Sequence, residues 1–195
     1  MTTASATPVE PQPAPNRHRI TVGEYFRMGE AGVLAPDARC ELIEGEIIDM
    51  SPIGPPHASA TNRIAALLAN AVRGRAIVSA QNPLVLGDLS APQPDLALLR
   101  YRDDFYARAH PGPADTLLLI EVSDTSLAHD RDTKLPLYAR FLIPEVCIID
   151  IPGGHLDIHR EPDGTRYTLQ LRASDLSRIG IAALPELVLD LQGLF

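Results

Sequence analysis

"LLLIEVSDTSLAHDRDTKLPLYA", residues 117–139, decides how this chain is read. Leu117–Val122 is a short apolar run of strand length and composition, interrupted only by Glu121. After a polar turn, the segment from about 130 to 142 reads as a helix with Pro136 inside it, so a bend or a later start is expected there. Asp130 and Lys134 stand four residues apart on that helix, the spacing of a common surface ion pair, and Tyr138 lies one turn further on the same face.

A second stretch, "QPDLALLR" (93–100), repeats the anomaly, with Asp95 in a strand-like run entered through Pro94. An ionised carboxylate buried without a partner costs several kcal/mol, on the order of the penalty for losing a buried ion pair. Such residues pair, face water or bind a cation. If the two strands are neighbours, Asp95 and Glu121 converge at one rim of a sheet, where two close carboxylates need a counter-charge. Mg²⁺ or Mn²⁺, hard cations held by oxygen, would supply it. The alternative is that each carboxylate pairs with an arginine or caps backbone.

Around these stretches the chain reads as an α/β or α+β domain with a mixed sheet. Residues 1–18 are rich in Pro, Ala and Thr and read as a disordered tail before a single domain over 19–195. Thr21 and Glu24 have capping-box spacing for a short helix. "CELIEGEIIDM" (40–50) reads as an N-terminal hairpin turning at Glu44-Gly45. "SPIGPP" breaks the chain, and Ile64, Leu67, Leu68, Ala71 and Val72 form a helical stripe stopped by Gly74. Strands are expected at 76–79, 83–86, 95–100, 117–122 and 146–151, then a C-terminal β-hairpin from "HLDIHR" and "TRYTLQL" about Asp163-Gly164. The apolar end, "LPELVLDLQGLF", should dock on the core.

The 195 residues are 45% hydrophobic and 22% charged, ordinary values for a globular core. No apolar run has the length to span a bilayer, so a cytoplasmic protein without a membrane partner is expected. Cys40 and Cys147 stand singly in apolar surroundings and read as buried thiols. His110, His129, His155 and His159 lack zinc-like spacing and read as surface residues. A net charge of −8 argues against a passive nucleic-acid coat, though not against an enzyme acting on nucleic acid.

"CELIEGEI", "SP" followed by His57, "QPDLALL", residues 117–139 and "IPEVCIID" occur in the order of the Uma-type restriction endonuclease family, within the PD-(D/E)xK nuclease superfamily, and from about Val22 onward the chain resembles it. The resemblance implies a restriction-endonuclease-like fold, a mixed sheet flanked by helices, and an endonuclease cleaving DNA with Mg²⁺ or Mn²⁺. By position, Asp95 and Glu121 match the metal ligands, Lys134 the family lysine, and Glu41, Gly45 and His57 the upstream signature. The superfamily lysine normally lies two residues after the Glu, where this chain has Ser123. Catalytic roles then fall to Asp95, Glu121, Lys134 and His57, with Glu41, Asp130 and Tyr138 as supporting neighbours. His57 reads as a base, a phosphate contact or an orienter of Glu41, or else as a helix-start histidine with no catalytic part. The alternative function is a nuclease-like binding or regulatory module that does not cleave. A homodimer is the assembly expected, since two-fold related sites suit two DNA strands.

Overall fold

Thr21 caps the first helix through its hydroxyl, which accepts from the Glu24 amide while the Glu24 carboxylate accepts from the Thr21 amide. That reciprocal box starts α1 (Val22–Glu30) where the spacing placed it. The computed structural model describes residues 17–195; the part of the expected tail at 1–16 lies outside the described residues.

The N-terminal hairpin pairs β1 (Cys40–Ile43) with β2 (Glu46–Asp49) about Glu44 and Gly45, both at positive φ. A Cβ on Gly45 would meet Arg19 Cβ at 2.6 Å, so the turn requires glycine both for its φ and for its space. Then comes α2 (Pro55–Val72), whose two leading prolines occupy positions where a missing N–H costs nothing. It ends at Arg73 in the left-handed region, with Gly74 beyond it also at positive φ.

The principal sheet has the order β3-β4-β5-β6-β7-β8. Its strands are β3 (Ala76–Ala80), β4 (Leu96–Arg100), β5 (Thr116–Ser123), β6 (Glu145–Asp150), β7 (His155–Pro162) and β8 (Tyr167–Arg172). All neighbours run antiparallel except β5 and β6, which are parallel and joined by a helical crossover. The fold is therefore mixed α+β, and the β7–β8 hairpin is part of this sheet. A further hairpin, β9 (Ile179–Ile181) with β10 (Leu184–Leu189), forms from the apolar end of the chain. It packs with α2 on one face of the sheet, where Leu187, Leu189 and Leu191 join Ile64, Leu68, Leu98, Ile120 and Ile149. The other face buries Leu119, Val146 and Ile148 under Leu137 and Tyr138 of the crossover.

Two expected elements differ. Residues 83–86 form no strand: Leu84 and Leu86 are buried, but the segment is an extended loop whose amides bond to Pro92, Pro111 and Ser90 carbonyls. The crossover starts earlier than 130. It runs as α3 (Leu127–His129), a π turn (Asp130–Lys134) and α4 (Leu135–Arg140). Pro136 explains the widened turn, because its ring would collide with the carbonyl four residues back in a regular helix and it has no N–H to donate. Cys40 and Cys147 are buried and free. Among the described residues, no helix is long and apolar enough to cross a membrane.

Candidate active site

In an antiparallel pair, the start of one strand lies beside the end of its neighbour. Leu96 stands opposite Ile120, so continuing the register puts Asp95 opposite Glu121, on one face and at one rim. Side chains extend the ladder there. Asp95 Oδ2 accepts from the Val122 amide at 2.9 Å, and Glu121 Oε2 lies 3.4 Å from the Asp95 amide. The expected convergence of the two carboxylates is present.

Lys134 reaches the same point from the π turn. Its Nζ lies 2.8 Å from Glu121 Oε1 and 3.6 Å from Glu41 Oε2, with only 3% of the residue exposed. The surface ion pair that its spacing from Asp130 would allow does not form. Asp130 instead accepts from the Ser123 and Ser126 hydroxyls at 2.8 and 2.6 Å. Ser123, two residues after Glu121, thus anchors the start of the helical run that delivers the lysine. Tyr138 donates its hydroxyl to Glu121 Oε1 at 2.6 Å, which explains a phenol in the core.

Glu41 enters from the N-terminal hairpin. Its carboxylate accepts from the Gln93 amide at 3.0 Å and lies 3.0 Å from His129 Nε2. His57, in the first turn of α2, places Nε2 3.0 Å from Asp95 Oδ1. It orients Asp95, not Glu41. The surface assignment of the histidines holds for His110 alone among the four. His129 lines the site, while His159 is buried and His155 partly so on β7. The only sequence sign for His129 was its place beside Asp130 in the motif.

The site lines a cavity of about 470 Å³, together with Arg39, Met50, Pro52 and Ile53. Burial works to raise the Asp95 pKa, yet His57 and the Val122 amide hold it below its ordinary value. Glu41 is likewise lowered against burial, by Lys134, His129 and the Gln93 amide. Burial would strip Lys134 of its proton, but Glu121, Glu41 and Asp130 overcome this and hold it charged. Glu121 moves the other way: burial pushes it up to about 8, and Asp130 and Asp95 outweigh part of the relief from Lys134. Four carboxylates, Glu41, Asp95, Glu121 and Asp130, thus share the cluster with one lysine and the His57 and His129 rings.

Whether a divalent ion suits this arrangement follows from the donors. Among the described residues, no three Asp, Glu, His or Cys side chains are grouped to enclose an ion. Two carboxylates facing an open cavity do suit Mg²⁺ or Mn²⁺, which keep several waters and take further oxygens from phosphate. They do not suit structural zinc, which wants four closed ligands.

A family model named Uma2, described as "Putative restriction endonuclease", matches residues 22–192. The structure is also similar to a crystal structure from Anabaena variabilis, described as "a putative nuclease belonging to DUF820", with a TM-score of 0.70 and 18% identity. The match covers 90% of this chain and 97% of that one, and supports the shared fold. No curated protein matches the chain.

Proposed function

The chain belongs to the Uma2 family, and on that premise we propose that it is a metal-dependent endonuclease hydrolysing phosphodiester bonds in DNA. One observation carries the reading: a buried lysine contacts the glutamate of an aspartate–glutamate pair that converges across two adjacent strands and faces a cavity.

Asp95 and Glu121 would hold Mg²⁺ or Mn²⁺. Such an ion, when bound, neutralises phosphate charge and lowers the pKa of a coordinated water. The chain's own groups do the rest. Lys134 keeps its proton and presents an ammonium beside Glu121, where it stabilises negative charge developing on the phosphate. Tyr138 fixes Glu121 Oε1, and Glu41, steadied by His129, holds the lysine from the other side. His57 locks the Asp95 carboxylate in orientation through Oδ1. A two-fold homodimer would offer two such cavities to two strands, which sedimentation at micromolar concentration tests.

Plasmid nicking in Mg²⁺ and in Mn²⁺ tests the activity. Nicked product lost in Glu121→Ala is the expected result; intact plasmid under every divalent ion would refute it. One observation favours a second reading, a nuclease-like module that binds without cleaving. Lys134 already sits between Glu121 and Glu41, and both Asp95 oxygens have partners, so the cluster holds together without an added ion. Calorimetric titration with Mn²⁺ separates the two, since only the first requires binding that Asp95→Ala removes.

A further inference from the structure

Across the principal sheet, Glu121 stands beside Ile148, Ile148 beside Asp157, and Asp157 beside Arg172. Register partners share a face, so one row leads from the candidate active site on β5 to the far edge at β8. At strand spacings of about 4.8 Å, Asp157 is roughly 10 Å from Glu121 along the row and Arg172 roughly 14 Å.

Two arginines hold Asp157, with Asp150 beyond His155. Arg172 grips it bidentately at 2.8 and 3.0 Å, and Arg131, from the π turn, reaches it at 3.2 Å. Asp157 uses two Arg172 donors and one from Arg131. Each guanidinium has five, so most remain to be used, and both side chains are substantially exposed, at 59% and 43%. His155 Nε2 is buried 3.4 Å from Asp157 and 3.6 Å from Asp150 without forming a hydrogen bond. Arg39, in the segment leading into β1, lines the cavity itself, and β1 bridges to Ala91 shortly before β4. One Arg39 nitrogen donates to the Ser51 carbonyl.

A chain of net charge −8 with a carboxylate-lined cavity repels a polyanion, so any strand it holds needs guanidinium contacts near the cavity. We propose that Arg131 and Arg172, bridged by Asp157, form a phosphate-contact site for a DNA strand whose scissile phosphodiester lies at Asp95 and Glu121, with Arg39 contacting the strand at the cavity. The proposal rests on the nuclease reading. It adds where the substrate backbone runs.

The test is equilibrium binding of a fluorescent duplex of about six helical turns to the full chain in Ca²⁺, measured against NaCl concentration for two unrelated sequences. Arg131→Ala and Arg172→Ala should each weaken binding equally for both sequences and lower the salt slope by about one. Arg131→Lys and Arg172→Lys, which keep the charge, should retain the slope. Arg100→Ala, at the opposite rim, should match the wild type. Wild-type affinity and slope in both folded alanine variants would overturn the proposal while leaving nicking activity untouched. A wild-type protein that binds no DNA and nicks no plasmid would overturn both this site and the nuclease reading.

Discussion

Two buried glutamates sit on adjacent parallel strands and do different things. Glu145, at the start of β6, is 1% exposed and its carboxylate accepts three hydrogen bonds. Two come from Arg160 at 2.9 and 2.6 Å, and the third from the Ala182 amide at 2.7 Å, which ties the β9–β10 hairpin to the sheet. Glu121, near the end of β5, has one lysine shared with Glu41, a tyrosine, and a cavity in front of it. Burial alone marks neither as a site. The difference lies in whether the charge is answered locally. Glu145 has its own arginine, two of whose N–H groups bond one carboxylate oxygen, and a structural task, whereas Glu121 shares its lysine with Glu41 in an acid-rich cluster that lines a cavity.

The largest expected effect tests the structural member. Arg160→Ala leaves Glu145 buried without its cation and should cost about 3 kcal/mol in urea unfolding, the lower end for a broken buried pair because Arg160 is partly exposed. Adding Glu145→Leu should recover much of that. A loss below about 0.5 kcal/mol, the size of a surface effect, would break the contrast.

Next, Lys134→Ala should still fold, less stably because buried Glu121 and Glu41 lose their shared cation, and lose cleavage on the order of a hundredfold, about 2.7 kcal/mol of transition-state stabilisation. Ser123→Lys in that background should restore part of the activity, since positions 121 and 123 share a face. Wild-type turnover in Lys134→Ala, with Glu121→Ala inactive, would remove the lysine from the chemistry.

Metal binding gives a comparable shift. Mn²⁺ at a hundredfold excess over Kd should stabilise the protein by about 2.7 kcal/mol, seen as a rise in Tm. That rise should vanish in Asp95→Ala and survive in Glu145→Gln. Equal melting with and without Mn²⁺ counts against an ion at the rim.

The smallest effect is in pH. Burial lowers the His159 pKa, with Asp157 opposing and Arg131 assisting. Its neutral ring therefore contributes stability above the unfolded value of about 6.5, and this is lost as pH falls through the lower folded value. His57 has the opposite sign. The Asp95 bond raises its pKa, so its contribution is complete below about 6.5 and fades as pH rises through the higher folded value. His159→Leu should flatten the acid side of a stability–pH curve and His57→Gln the neutral side. The same change on both sides would show that these rings do not differ.

The sequence made legible whatever short-range chemistry controls. The Thr21–Glu24 box, the Glu44-Gly45 turn and the α2 stripe all form from neighbours a few residues apart. Asp95 and Glu121 were readable because a carboxylate in an apolar run is costly wherever it folds. Partners distant in sequence were not readable. His129 looked like a surface residue because its acceptor, Glu41, lies 88 positions away. Asp130 and Lys134 looked like each other's partner because four residues on a helix is the nearest explanation, yet Lys134 reaches Glu121 and Glu41, and Asp130 turns to the nearby Ser123 and Ser126 hydroxyls. Residues 83–86 misled for another reason: an extended loop that buries Leu84 and Leu86 shows the same alternation as a strand.

The turn at Asp130–Lys134 has a consequence for insertions and deletions. It accommodates one residue more than a regular turn, so losing any one of its five would let the helix close at normal pitch. Each residue of an α-helix advances the chain by about 100°. With α4 fixed in the core by Leu137 and Tyr138, the segment before it would rotate by that amount, carrying the Asp130 anchor away from Ser123 and Ser126. Chains of this architecture should accept substitutions at the exposed positions Asp132 and Thr133 far more readily than they accept a change in the length of this turn.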